Sequence, residues 1–469
     1  IACMIMIVFV FGGLNMAAAQ LDIKVDAEKE HQTIIGYGTC LVAWVKDMRA
    51  LYKTEEFQDI YANGVEMNMM RVNLWGRVMK EPVQKPEDIK WQDFDLDNEP
   101  RATIFLEFGK ELMKRNPDAK IIGTVWSPPP WMKMHKDMVG DGMGSIRANS
   151  DYKGKKGQVK NRVDPKYFQH FCNWMLEMVK MHDEKGAPLY AVSPGNEIQF
   201  NQSFESCVWS GEDFAKIVAM LGETLEEAGY GHVKIFGPET MTSHFYKGGT
   251  PSYIDAVKAN PKALEELDVW ATHGYEDGVK AEMKASSSRN FWNYVKDTGK
   301  PYWMTEGGTG DHDWPEPLHK GVANAMHNSF VAGNASAFVP WQITGGKAST
   351  HCLMVMNEYT PKTYAVMHYT KFIEPGSVRI DTEPALGTVK ASAYLHKEKN
   401  IFTAVLLNPT DEEQSVTLNI NGVDLKQLNT FVTDANARLK ASDPAMVNDG
   451  KVMVKMGPQS MITLTTAEK

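Results

Sequence analysis

Cysteine is scarce in this chain of 469 residues: five in all, of which Cys40, Cys172, Cys207 and Cys352 lie beyond the first twenty positions. Their wide spacing fits neither a compact zinc site nor a disulfide-stapled miniature scaffold, and buried free thiols are the expectation. Positive charge is short as well. Fifty Lys and Arg face 59 Asp and Glu, a net charge of −9, and without a basic excess the main source of nucleic-acid affinity is missing. Long hydrophobic runs are absent too. The apolar stretch at residues 5–11 falls short of the roughly 20 residues that a membrane-spanning helix needs. With Ala17-Ala18-Ala19 ahead of Gln20, it reads instead as a secretory leader over residues 1–19 that lacks an initiator Met and a basic start. Delivery outside the cell or into a periplasm is the expectation.

What the chain does contain is the composition of a large globular protein, 43% hydrophobic and 23% charged, enough for one large domain and a smaller one. Eight strand-like runs appear at 34–40, 67–73, 120–127, 189–196, 233–239, 268–273, 301–306 and 336–342. Between most of them lie segments of helical period, such as 165–183, 211–228 and 318–331. Eight alternating strand and helix units predict an α/β fold, a parallel (β/α)8 TIM barrel over residues 34–368. Beyond Tyr369 the runs are short, β-rich and divided by turn clusters, which predicts an attached antiparallel β-sandwich over 369–469. The apolar–polar alternation of 21–25, within the stretch 20–33, is expected to join that sandwich. Neither repeats nor a low-complexity linker separate the two domains, so they are expected to pack together.

Two glutamates carry the chemistry. Glu197 ends Ala191-Val192-Ser193-Pro194-Gly195-Asn196-Glu197, and Glu306 ends Pro301-Tyr302-Trp303-Met304-Thr305-Glu306. Each closes a strand-like run and precedes a loop. A pair of carboxyl groups at the ends of two strands of one sheet, one protonated and one ionised, is what glycoside hydrolysis requires. Twelve Trp, 16 Tyr and 19 Phe supply flat faces for sugar rings, although most such rings serve the core.

The motifs Gly36-Tyr37-Gly38, Met70-Arg71-Val72, Trp126-Ser127-Pro128-Pro129-Pro130-Trp131-Met132-Lys133, Asn196-Glu197, His273-Gly274-Tyr275, Thr305-Glu306-Gly307 and Glu374-Pro375-Gly376-Ser377-Val378-Arg379-Ile380 occur in this order. Together they resemble glycoside hydrolase family 30, retaining enzymes of the barrel type, over nearly the whole chain. The resemblance implies Glu306 as nucleophile and Glu197 as acid/base, with no cofactor and no metal. It implies that the Asn196 amide holds the sugar 2-hydroxyl; the alternative is that Asn196 only shapes the turn. Arg71 and Tyr275 are expected to supply charge and a hydroxyl to Glu306, and a like charge nearby is expected to make Glu197 harder to ionise. His273 either orients Glu306, touches substrate or is structural. Trp341 and Trp126 are candidate sugar platforms, and Trp131 either faces the groove or packs under its proline-rich loop.

Two departures from the family pattern stand out. Gly195 and Ile198 occupy places where the family commonly has Gln and Pro. No Arg occurs between Arg289 and Arg379, so the arginine by which the glucuronoxylan-specific branch binds uronic acid has no counterpart there. The expected activity is an endo-β-1,4-xylanase-like cleavage of β-linked plant or microbial polysaccharide by a monomer. A β-glucanase or an exo-acting β-glycosidase is the alternative on the same scaffold, and a non-catalytic glycan-binding barrel the third. The insertion 134–161, with Asp141 and a Gly/Lys cluster at 154–157, reads as a loop at the groove's rim without calcium-ligand spacing.

Overall fold

The computed structural model describes residues 20–140, 144–145, 159–242, 249–275 and 284–468. The expected leader, Asp141 and the Gly/Lys cluster at 154–157 lie outside these. Eight parallel strands form the larger domain: Gly36–Cys40, Met69–Asn73, Lys120–Thr124, Leu189–Ser193, Lys234–Thr240, Val269–Gly274, Tyr302–Gly307 and Ala337–Phe338. The eighth pairs with the first through Ala337↔Gly36 and Phe338↔Tyr37, which closes the barrel. All eight expected runs are present. The last is much shorter than its sequence run because Pro340, which has no N–H to donate, interrupts the ladder. Past this break the chain forms a new strand, Gln342–Gly345, that extends the sheet from the first strand.

Strand alternation decides what fills the barrel. Met69, Ile122, Ala191, Phe236, Ala271, Trp303 and Ala337, from the second to the eighth strands, meet in one buried cluster. Because side chains on one strand face repeat every second residue, Arg71, Thr124, Ser193 and His273 follow on the same inner face, one step nearer the strands' carboxyl ends. That end of a (β/α)8 barrel is where active sites are built. The outward residues, such as Met70, Val72, Ile121 and Val192, join the large core beneath the helices. Helix Gly211–Glu227 shows the local logic: Ser210 caps it by accepting from the Asp213 N–H, and Glu212 and Asp213 occupy its first turn, where negative charge suits the helix dipole.

The smaller domain is the expected β-sandwich, with a ladder of nine strands that returns to its first member. That member is Leu21–Thr33. It runs antiparallel to Val378–Glu383 and parallel to Gln414–Asn421, so it joins the sandwich as the alternation suggested and is longer than the run 21–25. Strand Lys440–Asn448 had no apolar alternation to reveal it, since most of its residues are exposed. The domains are packed together. His368, on helix Pro361–Thr370, meets the hydroxyls of Thr463 and Thr433 at 2.7 and 2.8 Å, and Gln32 donates to the Phe330 and Ala335 carbonyls of the barrel. No helix among the described residues is long and apolar enough to cross a membrane.

Ile23 is 1% exposed in the sandwich core. Ile23→Ala should therefore destabilise the protein by about 2–5 kcal/mol, whereas Lys24→Ala, on the exposed face of the same strand, should stay within about 0.5 kcal/mol of the parent. Urea unfolding followed by circular dichroism measures both.

Candidate active site

Local backbone irregularity aims the acidic side chains. In the seventh strand the register against the sixth slips between Met304 and Glu306, and in the fifth it slips between Pro238 and Thr240. An extra residue in a strand bends it and re-aims a side chain, and here the two shifts deliver Glu306 and Glu239 to the barrel mouth. Glu239 has φ +48° and Glu197 has φ +45°. Left-handed conformations at non-glycine residues store strain and gather at functional sites. Backbone bonds hold the turn: Glu197 N–H donates to the Glu239 carbonyl at 2.9 Å and Asn196 N–H to the Val125 carbonyl at 2.8 Å.

The unusual residues around Glu197 are coupled. A Cβ at Gly195 would lie 2.5 Å from Ile198 Cγ2 and 3.0 Å from Trp209 Nε1. The Ile198 side chain thus occupies the space that a larger residue at 195 would need, so Gly195 and Ile198 fit each other.

Arg71 organises the centre. Its Nη1 donates to Glu306 Oε2 at 2.6 Å, and its Nη2 donates to Asn196 Oδ1 at 2.7 Å and lies 3.1 Å from Glu239 Oε1. The Tyr275 hydroxyl donates to Glu306 Oε1 at 2.8 Å. Arg71 and Tyr275 therefore do at Glu306 what the sequence suggested. Since Arg71 takes the Asn196 oxygen, the amide nitrogen is the end left to donate. His273 is fully buried and sits closer to Glu197 than to Glu306: its Nδ1 is 3.2 Å from Glu197 Oε1 and 3.9 Å from Glu306 Oε1. It orients the other glutamate from the one considered first. Gln202 Nε2 donates to the second oxygen of Glu197.

Charge in this buried space is finely balanced. Burial pushes the Glu306 carboxyl above its ordinary range and the charge of Glu197 adds to this, against the pull of His273, Arg71 and the Tyr275 hydroxyl. Burial alone would push His273 down, but Glu306, Glu197 and Glu239 outweigh it and raise the imidazole to about 9. At neutral pH it is an imidazolium. Glu239 shows the reverse balance. Burial alone would raise its carboxyl, yet Arg71 and His273 bring it to about 2. Glu197, His273 and Glu306 each place one potential ligand atom within 4.8 Å of the others. A cation there would meet the Arg71 guanidinium and a protonated imidazole, so the donor set suits proton transfer better than metal binding.

A cavity of about 570 Å³ lies beside this centre, walled by Trp44, Trp75, Trp126, Trp341 and Phe204. Trp44 stacks on Trp341 at 5.6 Å, Trp341 lies 5.8 Å from Trp126, and the Arg71 guanidinium sits 4.5 Å over the Trp126 ring. Trp126 and Trp341 therefore border the groove as expected. Trp131 does not: it packs edge-on against Tyr167 and His170 under its loop, at 5.3 and 5.9 Å. Gly76 lets the loops after the second and third strands meet, for a Cβ there would fall 2.4 Å from the Pro128 carbonyl carbon. The cavity's arginines are already engaged: Arg77 Nε is 2.7 Å from Glu205, and Arg101 pairs with Glu99 and Glu205.

Trp44, Trp75, Gln202 and Glu239 were not singled out in the sequence. For Glu239 the signal was available, since it ends the fifth strand-like run as Glu197 and Glu306 end theirs. The four cysteines are free and buried; burial lifts the Cys40 thiol to about 12 and that of Cys207 to about 11, which disfavours the thiolate at these two.

Comparison with known proteins agrees with this geometry. The family model described as the glycosyl hydrolase family 30 TIM-barrel domain matches residues 54–300, and that of the family 30 beta sandwich domain matches residues 376–464. Glucuronoxylanase XynC of Bacillus subtilis (strain 168) is 24% identical over 99% of this chain and 96% of its own. Putative glucosylceramidase 1 of Caenorhabditis elegans is 22% identical over 91% of this chain and 80% of its own. The solved family 30 subfamily 8 xylanase Xyn30A from Clostridium acetobutylicum superposes with a TM-score of 0.74 at 20% identity, covering 95% of this chain and 99% of that one.

Tyr275→Phe removes a donor that favours the ionised form of Glu306, so the Glu306 pKa should rise further. Infrared titration of the carboxyl stretch, assigned with Glu306→Gln, should show protonation beginning at higher pH than in the parent.

Proposed function

Because the chain belongs to glycoside hydrolase family 30, we propose that it is a secreted, retaining, endo-β-1,4-xylanase-like enzyme that cleaves β-linked plant or microbial polysaccharide. Family membership makes it a glycoside hydrolase rather than a binding-only barrel. The observation that carries the retaining mechanism is the approach of Glu197 and Glu306, of which one carboxyl oxygen each lies within 4.8 Å of the other. Inverting enzymes hold their carboxyl groups roughly 6.5–9.5 Å apart to admit a water, whereas retaining ones bring them to about 5–5.5 Å.

In this reading the Glu306 carboxylate attacks the anomeric carbon while Glu197 protonates the departing oxygen. Glu197 then takes a proton from the water that breaks the glycosyl–Glu306 ester. Arg71 and Tyr275 hold Glu306 from both oxygens, and the Asn196 amide meets the sugar 2-hydroxyl. Export is supported by the apolar leader and by a substrate too large to enter a cell. The second reading, a β-glucanase or an exo-acting β-glycosidase, draws on the relative named as a putative glucosylceramidase.

Glu306→Gln should abolish hydrolysis across a panel of xylans and β-glucans with little loss of fold, while the parent releases mixed short oligomers from xylan. A single repeated product would favour the exo-acting reading, and parent-like turnover by the mutant would remove Glu306 from its role.

Glu197→Ala should retain the first step on aryl glycosides with good leaving groups, which need no proton, and lose deglycosylation. Azide should restore turnover and yield the β-glycosyl azide. An α-azide would contradict retention.

Between Glu306 and Tyr364 the only cationic side chains of Lys or Arg are Lys320, Lys347 and Lys362. Lys362 is fully buried, donating to Thr309 Oγ1 and to the Gly310 and Ser349 carbonyls. Planar two-bond recognition of a carboxylate is an arginine's property, and Arg77 and Arg101 already pair with glutamates. Digestion of glucuronoxylan should therefore proceed after enzymatic removal of its uronic acid groups, without products that carry one at a fixed position. Loss of cleavage on their removal would overturn this.

A further inference from the structure

We propose that Glu239 is a positioning residue for hydrolysis: its buried carboxylate holds the Arg71 guanidinium and the His273 ring in the orientation in which they meet Glu306 and Glu197. The inference rests on the roles proposed above for that pair.

Glu239 is fully buried at the residue where the fifth strand bulges. It does not reach either catalytic glutamate through its side chain. Instead its two cationic neighbours, Arg71 and His273, each lead to one of them. Its Oε1 lies 3.1 Å from Arg71 Nη2, and the other terminal nitrogen of Arg71 bonds Glu306. The same Oε1 lies 3.6 Å from His273 Nε2, while the opposite ring nitrogen meets Glu197. Its Oε2 accepts from Thr124 Oγ1 at 2.9 Å, which fixes the carboxylate plane, and its backbone carbonyl accepts from the Glu197 N–H.

Charge counting explains why a third carboxylate is useful. Two cations, Arg71 and the His273 imidazolium, face the site. Glu306 alone would leave one of these two cations without a counter-charge. With Glu239 ionised, the arrangement of charged Glu306 and protonated Glu197 is electrically neutral. The left-handed backbone at Glu239 costs energy that a merely structural ion pair would not need.

The test uses Glu239→Gln in the full chain, an isosteric change that removes the charge. Expected is a fall in kcat on an aryl glycoside of about a hundredfold, the scale of misplaced catalytic groups, with KM within about threefold of the parent. The His273 ring, followed by nitrogen NMR and assigned with His273→Asn, should titrate lower by about one unit or more. Thr124→Val, which loses the hydroxyl and keeps the shape, should move both readouts in the same direction by less, and it carries the test if Glu239→Gln fails to fold. Parent-like kcat with an unchanged His273 titration in either folded variant overturns the proposal. Activity in Glu306→Gln would instead overturn the underlying assignment of the pair; an inactive Glu306→Gln beside an unimpaired Glu239→Gln would sink this inference alone.

Discussion

The buried Arg71 guanidinium is the interaction on which the site depends. A guanidinium cannot shed its charge, and taking it out of water is costly unless anions and acceptors surround it. Three groups do so: Glu306 and Asn196 accept its hydrogen bonds and Glu239 pairs with its charge, from the seventh, fourth and fifth strands or their ends. Each is thereby pinned relative to the others. The barrel supplies the distances, because Arg71 sits on the same inner face as Met69, two residues further along the second strand. The charged centre is a continuation of the hydrophobic interior, with polar side chains in place of apolar ones where the strands end.

That origin accounts for the site's pH behaviour. A low-dielectric surrounding strengthens every pairwise term, so protonation states are set collectively. His273 is held charged by carboxylates, Glu239 is held charged by Arg71 and His273, and Glu306 is left between burial, which favours its proton, and two cations, which oppose it. A nucleophile raised in this way is more basic than a solvated carboxylate and still ionised once the pH exceeds its titration. The Tyr275 hydroxyl, which burial and the two glutamates hold firmly protonated, remains a donor throughout.

Much of this was legible before any coordinates. Eight strand-like runs in series imply a closed barrel, and carboxylates at two of their ends imply its chemistry, because period-two alternation and burial are written in residue types. The long-range partners were less visible. Arg71 and Glu306 are 235 residues apart, and their contact follows only from barrel closure. The bulges that aim Glu239 and Glu306 have no composition signature, and neither does the register that brings Trp44 onto Trp341. For Trp131 the sequence left two places open, the groove or the space under its proline-rich loop, and packing against Tyr167 and His170 selects the second. Lys440–Asn448 escaped notice because a strand exposed along most of its length on both faces lacks the apolar alternation by which strands are recognised.

Trapping the glycosyl-enzyme intermediate tests the central claim most directly. A 2-fluoro xylobioside with an activated leaving group slows deglycosylation, so the covalent intermediate accumulates and its site is read by mass spectrometry of proteolytic peptides. The account predicts one adduct per chain, on the peptide that contains Glu306, with activity lost in proportion to labelling. An adduct on Glu197 or Glu239, or complete turnover with no covalent species, would contradict it.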